Sequence, residues 1–319
     1  MKRPALKCIL PFAPAAVVLL VLAVAPRLAA TENVPHAPFA QWADVPGKGN
    51  LTARLTYQES ESYYIWDRST RYNVDQRAKG EHYGIDINQG YLTLQYGLTE
   101  RWAADLSVGY TTVGWRYFSS DGSPESTSGL MDTSFGFRYQ IFKEDETESH
   151  WRPTLTFRAG AVLPGNFDQY FAFAPGTAST AIEPELLFRK HFGWKGFGVY
   201  GDALFRWNHT SANDLYILSV GFLQKIQRWE LNAGYRRVGS VDGDNIKYNP
   251  DAPSEIFYPR AVAETSDSFE AGFSYFTRKR HIKWGFQSST VFGGANTDKK
   301  FWLGAYVEIP FQLGKSEAP

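Results

Sequence analysis

The chain has 319 residues, with 33 basic and 33 acidic groups and 16% aromatics, among them 23 Phe, 18 Tyr and 10 Trp. So aromatic a composition excludes a disordered chain, and 21% charged residues exclude a helical membrane bundle. The charge is balanced and no basic cluster stands out, so no nucleic-acid partner is expected.

The N-terminus departs from this average. Lys2, Arg3 and Lys7 precede an apolar run from Cys8 to Ala25, and Leu28-Ala29-Ala30 follows. A basic head, an apolar middle and small residues at the end describe a secretory signal peptide, with cleavage expected after Ala30. Pro11 and Pro14 interrupt the run, which argues against an uncleaved membrane helix. Cleavage removes four basic groups, no acidic ones and the single cysteine, Cys8, leaving a mature chain with net charge about −4 and no disulfide. Residues 31–50, with Pro35, Pro38, Trp42 and Pro46, read either as a flexible periplasmic leader or as a small plug.

From residue 51 onward apolar side chains recur with a period of two, which places them on one side of successive β-strands. In chain order the apolar faces are Leu51 to Tyr57, Leu92 to Tyr96, Ala104 to Tyr110, Phe135 to Ile141, Leu155 to Leu163 and Ile182 to Phe188. Val199 to Trp207, Tyr216 to Phe222, Leu231 to Tyr235, Phe269 to Tyr275 and a more polar strand from Phe286 follow, and Phe301 to Leu313 closes the series. The last alternates without interruption: Phe301, Leu303, Ala305, Val307, Ile309, Phe311 and Leu313 share one face. A tilted strand of about 9–11 residues crosses a bilayer, whereas strands of soluble domains run to about 5–6.

The connections alternate in length. Short ones are expected at Gly97 to Arg101, Lys143 to Ser149, His191 to Gly196, Gln224 to Arg228 and Thr277 to Lys283. The other side carries Asp67 to Gly84, Phe118 to Leu130, Pro164 to Thr180, the brief Thr210 to Asp214, Val241 to Asp267, and Gly293 to Lys300. Outer-membrane barrels have this asymmetry, with the short side in the periplasm. Trp102, Trp151, Trp229 and Trp284 each open a strand just after a short turn with the parity of the apolar face, as an interfacial aromatic girdle requires. The expected fold is therefore an all-β, transmembrane, antiparallel up-and-down β-barrel of about 12 strands spanning residues 51–313. Both termini are expected to be periplasmic, with 314–319 as a short tail. A soluble periplasmic β-sandwich or barrel is the competing fold, and it gives no reason for the repeated tryptophan.

Charges collect on the opposite parity. Arg54, Arg138, Arg158, Arg189, Arg206 and Arg236 face Asp105, Glu183, Glu185, Asp202, Glu230, Glu270 and Glu308 in the expected lumen. An Arg facing lipid at mid-depth would cost about 2–4 kcal/mol, which explains the uniform parity. These groups either pair across the lumen and stiffen the wall or act on a passing solute. The near balance disfavours an anion-specific pore. The closing strand is expected to pair with the first, which makes Arg54 a candidate partner of Glu308.

A resemblance lies in the middle of the chain. Gly129-Leu-Met-Asp132-Thr-Ser-Phe-Gly-Phe-Arg-Tyr139 is followed, after a polar turn, by Pro153-Thr-Leu-Thr-Phe-Arg-Ala-Gly-Ala-Val-Leu-Pro164-Gly165, and Tyr96-Gly-Leu-Thr-Glu-Arg-Trp102 lies upstream. Over roughly residues 90 to 210 this resembles the outer-membrane barrels grouped as the meta-pathway phenol-degradation family. The resemblance implies a barrel that admits small, often hydrophobic or aromatic compounds, and it brings no catalytic residues. By themselves Gly129, Asp132, Pro164 and Gly165 read as turn chemistry, with Asp132 capping a strand and Pro164-Gly165 ending one.

The expected partners are the lipid bilayer, lipopolysaccharide, the outer-membrane assembly machinery and a small-molecule solute, with no cofactor. No G-x-S-x-G elbow or H-E-x-x-H pair is present among sequences holding His36, His82, His150, His191, His209 and His281, so an enzyme is not expected. Asp242-Gly-Asp-Asn245 has oxygen ligands at calcium-like spacing but lacks the distal Glu of an EF-hand and reads as a solvated turn. Tyr248, Phe257 and Tyr258 in the same segment suit either an inward lid or a receptor surface. A passive small-solute channel in the bacterial outer membrane is therefore the expectation, and a non-transporting surface barrel whose long loops bind a partner is the alternative.

Overall fold

The computed structural model describes residues 43–73, 84–115, 125–144, 152–167, 176, 178–192, 196–209, 212–249, 261–278 and 282–313. The signal segment, the start of the leader, Trp151, Phe257, Tyr258 and the C-terminal tail lie outside them.

Twelve long strands form the wall: β1 (Asn50–Asp67), β3 (Ile85–Gly97), β4 (Trp102–Trp115), β6 (Thr133–Phe142), β7 (Thr154–Leu163), β8 (Ala181–His191), β9 (Phe197–Asn208), β10 (Leu215–Ile226), β11 (Trp229–Ser240), β12 (Thr265–Phe276), β13 (Lys283–Ala295) and β14 (Asp298–Gln312). Two short strands, β2 (Thr70–Asn73) and β5 (Glu125–Leu130), extend the wall against β1 and β4 at the long-loop end. Each wall strand pairs antiparallel with the next, and β14 pairs with β1 from Leu51↔Phe311 to Glu61↔Phe301. The sheet is thus closed, which leaves no unpaired backbone edge in a medium without water.

The reason these residues close this way is visible in the side chains. Outward positions are apolar and exposed: Phe137, Ile182, Phe222, Phe286 and Phe301 each present half or more of their surface. A soluble protein would not expose such a continuous belt, whereas hydrocarbon solvates it. Trp102, Trp229 and Trp284 all point outward beside the short turns. Trp102 packs on Tyr139 at 4.7 Å between ring centroids and Trp229 on Tyr275 at 4.9 Å, so the girdle consists of ring pairs on neighbouring strands.

Three local expectations are corrected. Gly293 to Lys300 is no long loop: β13 and β14 meet in a tight connection at Asn296-Thr297, where Asn296 takes the left-handed φ of 51° that suits Asn. Phe142, not Ile141, stands opposite Leu155, because a bulge between Gln140 and Phe142 inserts an extra residue and shifts the parity. Lys283 belongs to β13 rather than to the turn, and its side chain is 1% exposed.

Inside, tyrosine rings lie over glycines of adjacent strands. A methyl group at Gly285 would collide with the Tyr306 ring, and methyl groups at Gly221 and Gly234 would both strike Tyr200. Bare backbone at these points lets the rings lie flat along the wall instead of filling the lumen.

Candidate functional site

Of the thirteen charged residues expected inside, eleven are buried and Arg206 and Arg236 are partly so, and the strand register arranges them. Arg54 stands directly opposite Glu308 in the β1–β14 pair, with Nε 3.4 Å from Oε2, and its guanidinium lies 4.2 Å from the centroid of the Tyr306 ring. Arg138 Nε donates to Asp105 Oδ2 at 3.0 Å. Arg158 is the centre of the largest network: Nη2 lies 2.8 Å from Asp105 Oδ1 and donates to Ser134 Oγ at 2.8 Å, while Nη1 reaches Glu183 at 3.3 Å and Glu185 at 3.8 Å. Arg206 holds the other oxygen of Glu183 at 2.6 Å, and Arg236 stands 4.0 Å from Glu270. Asp202 and Glu230 are buried on the same inward face. Paired charges in a confined space offset part of their desolvation cost, and losing one partner leaves the other uncompensated.

Several partners were not legible in strand parity. Lys283 Nζ donates to Glu230 at 3.0 Å, with both side chains almost fully buried. Glu144, beside a short turn, accepts from Lys190 Nζ at 2.7 Å and from the His191 backbone at 2.9 Å. The end of the leader comes inside: Arg189 Nη2 donates to Asp44 Oδ1 at 2.7 Å, and Gln95 Nε2 donates to the Asp44 carbonyl at 3.3 Å. Thr156 bonds the Ala43 carbonyl, and Leu313 N–H donates to Gly49 O at 2.9 Å. Gly97 permits this approach, since a side chain there would strike the Pro46 and Gly47 carbonyls. A proline-rich stretch before the first strand was the only sequence signal for it.

Beside the Arg158 network lies a cavity of about 440 Å³. Its wall carries Gln58, Gln89, Tyr91, Gln287, Ser268 and Trp302 together with the charged Arg54, Asp105, Arg138, Arg236, Glu270 and Lys300. The amides form a ladder: Gln58 Nε2 donates to Gln89 Oε1 at 2.7 Å, and Tyr91 OH donates to the same oxygen at 2.8 Å. Toward the long-loop end the inward face turns apolar, with Ile85, Ile87 and Val113 buried.

There a segment of the β11–β12 connection covers part of the mouth. Ile246 and Tyr248 are buried, and the Tyr248 and Tyr72 rings stand 5.3 Å apart. Asn296 anchors the segment: its Oδ1 accepts from the Arg68 and Ile246 N–H groups at 2.9 and 3.2 Å, and its Nδ2 donates to Asn245 Oδ1 and Ala263 O at 2.9 and 2.8 Å. Beside it Thr297 Oγ1 donates to Glu264 Oε1 at 2.8 Å. The resemblance motif is also a clasp: Asp132 Oδ1 accepts from Gly165 N–H at 3.0 Å, and Asn166 Oδ1 accepts from Leu130 N–H at 2.6 Å. Gly165 sits against the Leu130 carbonyl with no room for a side chain. Among the described residues no group of His, Cys, Asp and Glu has the arrangement of a metal site.

Closed wall, outward apolar belt and inward charge define a β-barrel of the bacterial outer membrane. No family model and no curated protein matches the chain. Among solved structures, an outer membrane channel from Pseudomonas putida F1 is similar, with a TM-score of 0.64 and 16% identity over 88% of this chain and 100% of that one. The translocator domain of the autotransporter NalP from Neisseria meningitidis gives a TM-score of 0.45 and 12% identity over 84% and 90% of the two chains. A TodX mutant monoaromatic hydrocarbon channel gives 0.40 and 11% over 84% and 91%. The first likeness establishes the shared barrel fold.

Proposed function

We propose that this barrel is a passive channel for small solutes, with both termini and the short turns in the periplasm. The observation that carries the reading is the combination of a closed wall with a polar, charge-lined cavity of about 440 Å³ inside it. Solute enters between the long loops, passes the wall formed by Arg54, Asp105 and Arg138, and leaves past the Asp44–Arg189 contact, which acts as a small plug from the leader. The remaining lumen charges serve as wall pairs or as selectivity groups in proportion to their access to water. No catalytic step is assigned to any residue.

A second, competing reading, that hydrophobic or aromatic compounds are admitted, draws on the Gly129 to Gly165 resemblance and on the apolar inward face at Ile85, Ile87 and Val113. Lipid and lipopolysaccharide would solvate the outer belt, and the assembly machinery would insert the chain. Purified mature protein in planar bilayers should give discrete conductance steps. Absence of conductance and of solute flux would overturn the channel and favour a surface barrel that binds a partner through its long loops.

A further inference from the structure

We infer that the cavity beside the Arg158 network is a subsite for an uncharged, hydroxyl-rich solute of about monosaccharide size; this rests on the channel reading above. The cavity falls within the range of about 300–1,000 Å³ typical of small-ligand sites, but its wall is unusual for one. Most such pockets are apolar with a few polar anchors. Here three glutamines, Gln58, Gln89 and Gln287, stand on three strands around one volume, with Tyr91, Ser268 and other hydroxyls between them.

Three features select the solute. First, each cation in the cavity wall faces a carboxylate: Arg54 with Glu308, Arg138 with Asp105, Arg236 with Glu270, and Lys300 with Asp298 at 2.9 Å. An anion or cation entering the cavity must compete with a charge already in place and also lose its own hydration, whereas a neutral molecule avoids both costs. Second, the amides present donors and acceptors that an apolar guest would leave unpaired. Gln287 extends the ladder, its Nε2 donating to Gln58 Oε1 at 3.5 Å, so amides of three strands line the cavity within reach of one another. Third, the Trp302 side chain has the inward parity of β14, between the outward Phe301 and Leu303, and adds an indole to the cavity wall beside Lys300, whose Nζ lies 5.7 Å from the ring centroid. Amide hydrogen bonds at the edge of a molecule and an aromatic plane across its face together match a sugar-like solute better than a hydrocarbon or an ion.

The test uses full mature protein in liposomes and planar bilayers, with glucose, sodium glucuronate and lysine hydrochloride as probes. Swelling in glucose should exceed swelling in either charged probe about fivefold or more, and glucose should reduce the KCl current in a saturable manner. The double substitution Gln58→Leu/Gln89→Leu removes several hydrogen-bonding groups and should slow glucose entry about threefold or more relative to the variant's own KCl conductance. If that variant does not insert, saturable block of the wild-type current by glucose still decides. Equal rates for the three probes, or a current insensitive to glucose, would overturn the subsite while leaving the channel standing. No KCl conductance in the wild type would overturn the channel itself and the subsite with it.

Discussion

Arg158 on β7 reaches Asp105 on β4, 2.8 Å from Nη2 to Oδ1, although β6 lies between their strands. The span is possible because the inward positions beside the guanidinium are Gly136 and Gly160, where any side chain would meet it. A long cation lying along bare backbone gathers three carboxylates from two strands, Asp105 of β4 and Glu183 and Glu185 of β8. The wall is thereby stiffened across neighbouring strands.

Arg158→Gln should therefore change both stability and selectivity. It leaves Asp105, Glu183 and Glu185 with less cationic compensation, which for a buried pair costs about 3–5 kcal/mol. Reversal potentials in a KCl gradient should move toward cations. A loss of heat-modifiable mobility with no shift in the reversal potential of the surviving pores would mean that this wall only stiffens the barrel.

Gly285→Ala should destabilise the barrel by about 1–3 kcal/mol through collision with the Tyr306 ring. Adding Tyr306→Ser should recover part of the loss. Urea unfolding in detergent or lipid measures both, and purely additive effects in the double variant would show that the ring and the glycine do not interact.

Asn296 holds the segment over the mouth with three hydrogen bonds and the β1–β2 turn with a fourth, each with a net contribution of about 1 kcal/mol. Asn296→Ala loses them and adds strain at positive φ, whereas Asn296→Gly loses only the bonds. Hydrogen exchange of residues 241–249 should accelerate in both variants. Exchange as slow as in the wild type would remove Asn296 from its anchoring role.

Glu264, just outside β12, should make this closure depend on pH. Burial pushes its carboxyl above the usual range despite the nearby Lys300 ammonium, so the folded loop favours the protonated form. The contribution is fully present below the ordinary carboxylate value and is lost as pH rises through the raised one. Glu264→Gln keeps an acceptor for Thr297 without the charge. The ratio of loop exchange rates, wild type over variant, should therefore rise as the pH is raised above the ordinary carboxylate range. A constant ratio would assign the pH response elsewhere.

Removal of residues 314–319 should leave insertion intact, because the β1–β14 register ends at Asn50↔Gln312 and Leu313 N–H already bonds Gly49. Loss of membrane-inserted protein on this truncation would show that the tail takes part in assembly.

The amino-acid sequence by itself determined the strands from Leu51 to Leu313, the outward belt and the inward parity of the thirteen charges, because a two-residue period and the high cost of a charge in lipid both act locally along each strand. It also made Arg54 a candidate partner of Glu308, and the β1–β14 register places the two opposite each other. The tertiary structure decided what local pattern cannot encode: that Arg158 spans a neighbouring strand, that Lys283 leaves its turn for Glu230, that Asp44 comes inside to Arg189, and that Asn296 ties the β11–β12 segment over the mouth. These contacts join residues up to 145 positions apart, as Asp44 and Arg189 are, and depend on barrel curvature and on glycines that open room for a particular ring or guanidinium. Parity says which way a side chain points; only the closed wall says what it meets.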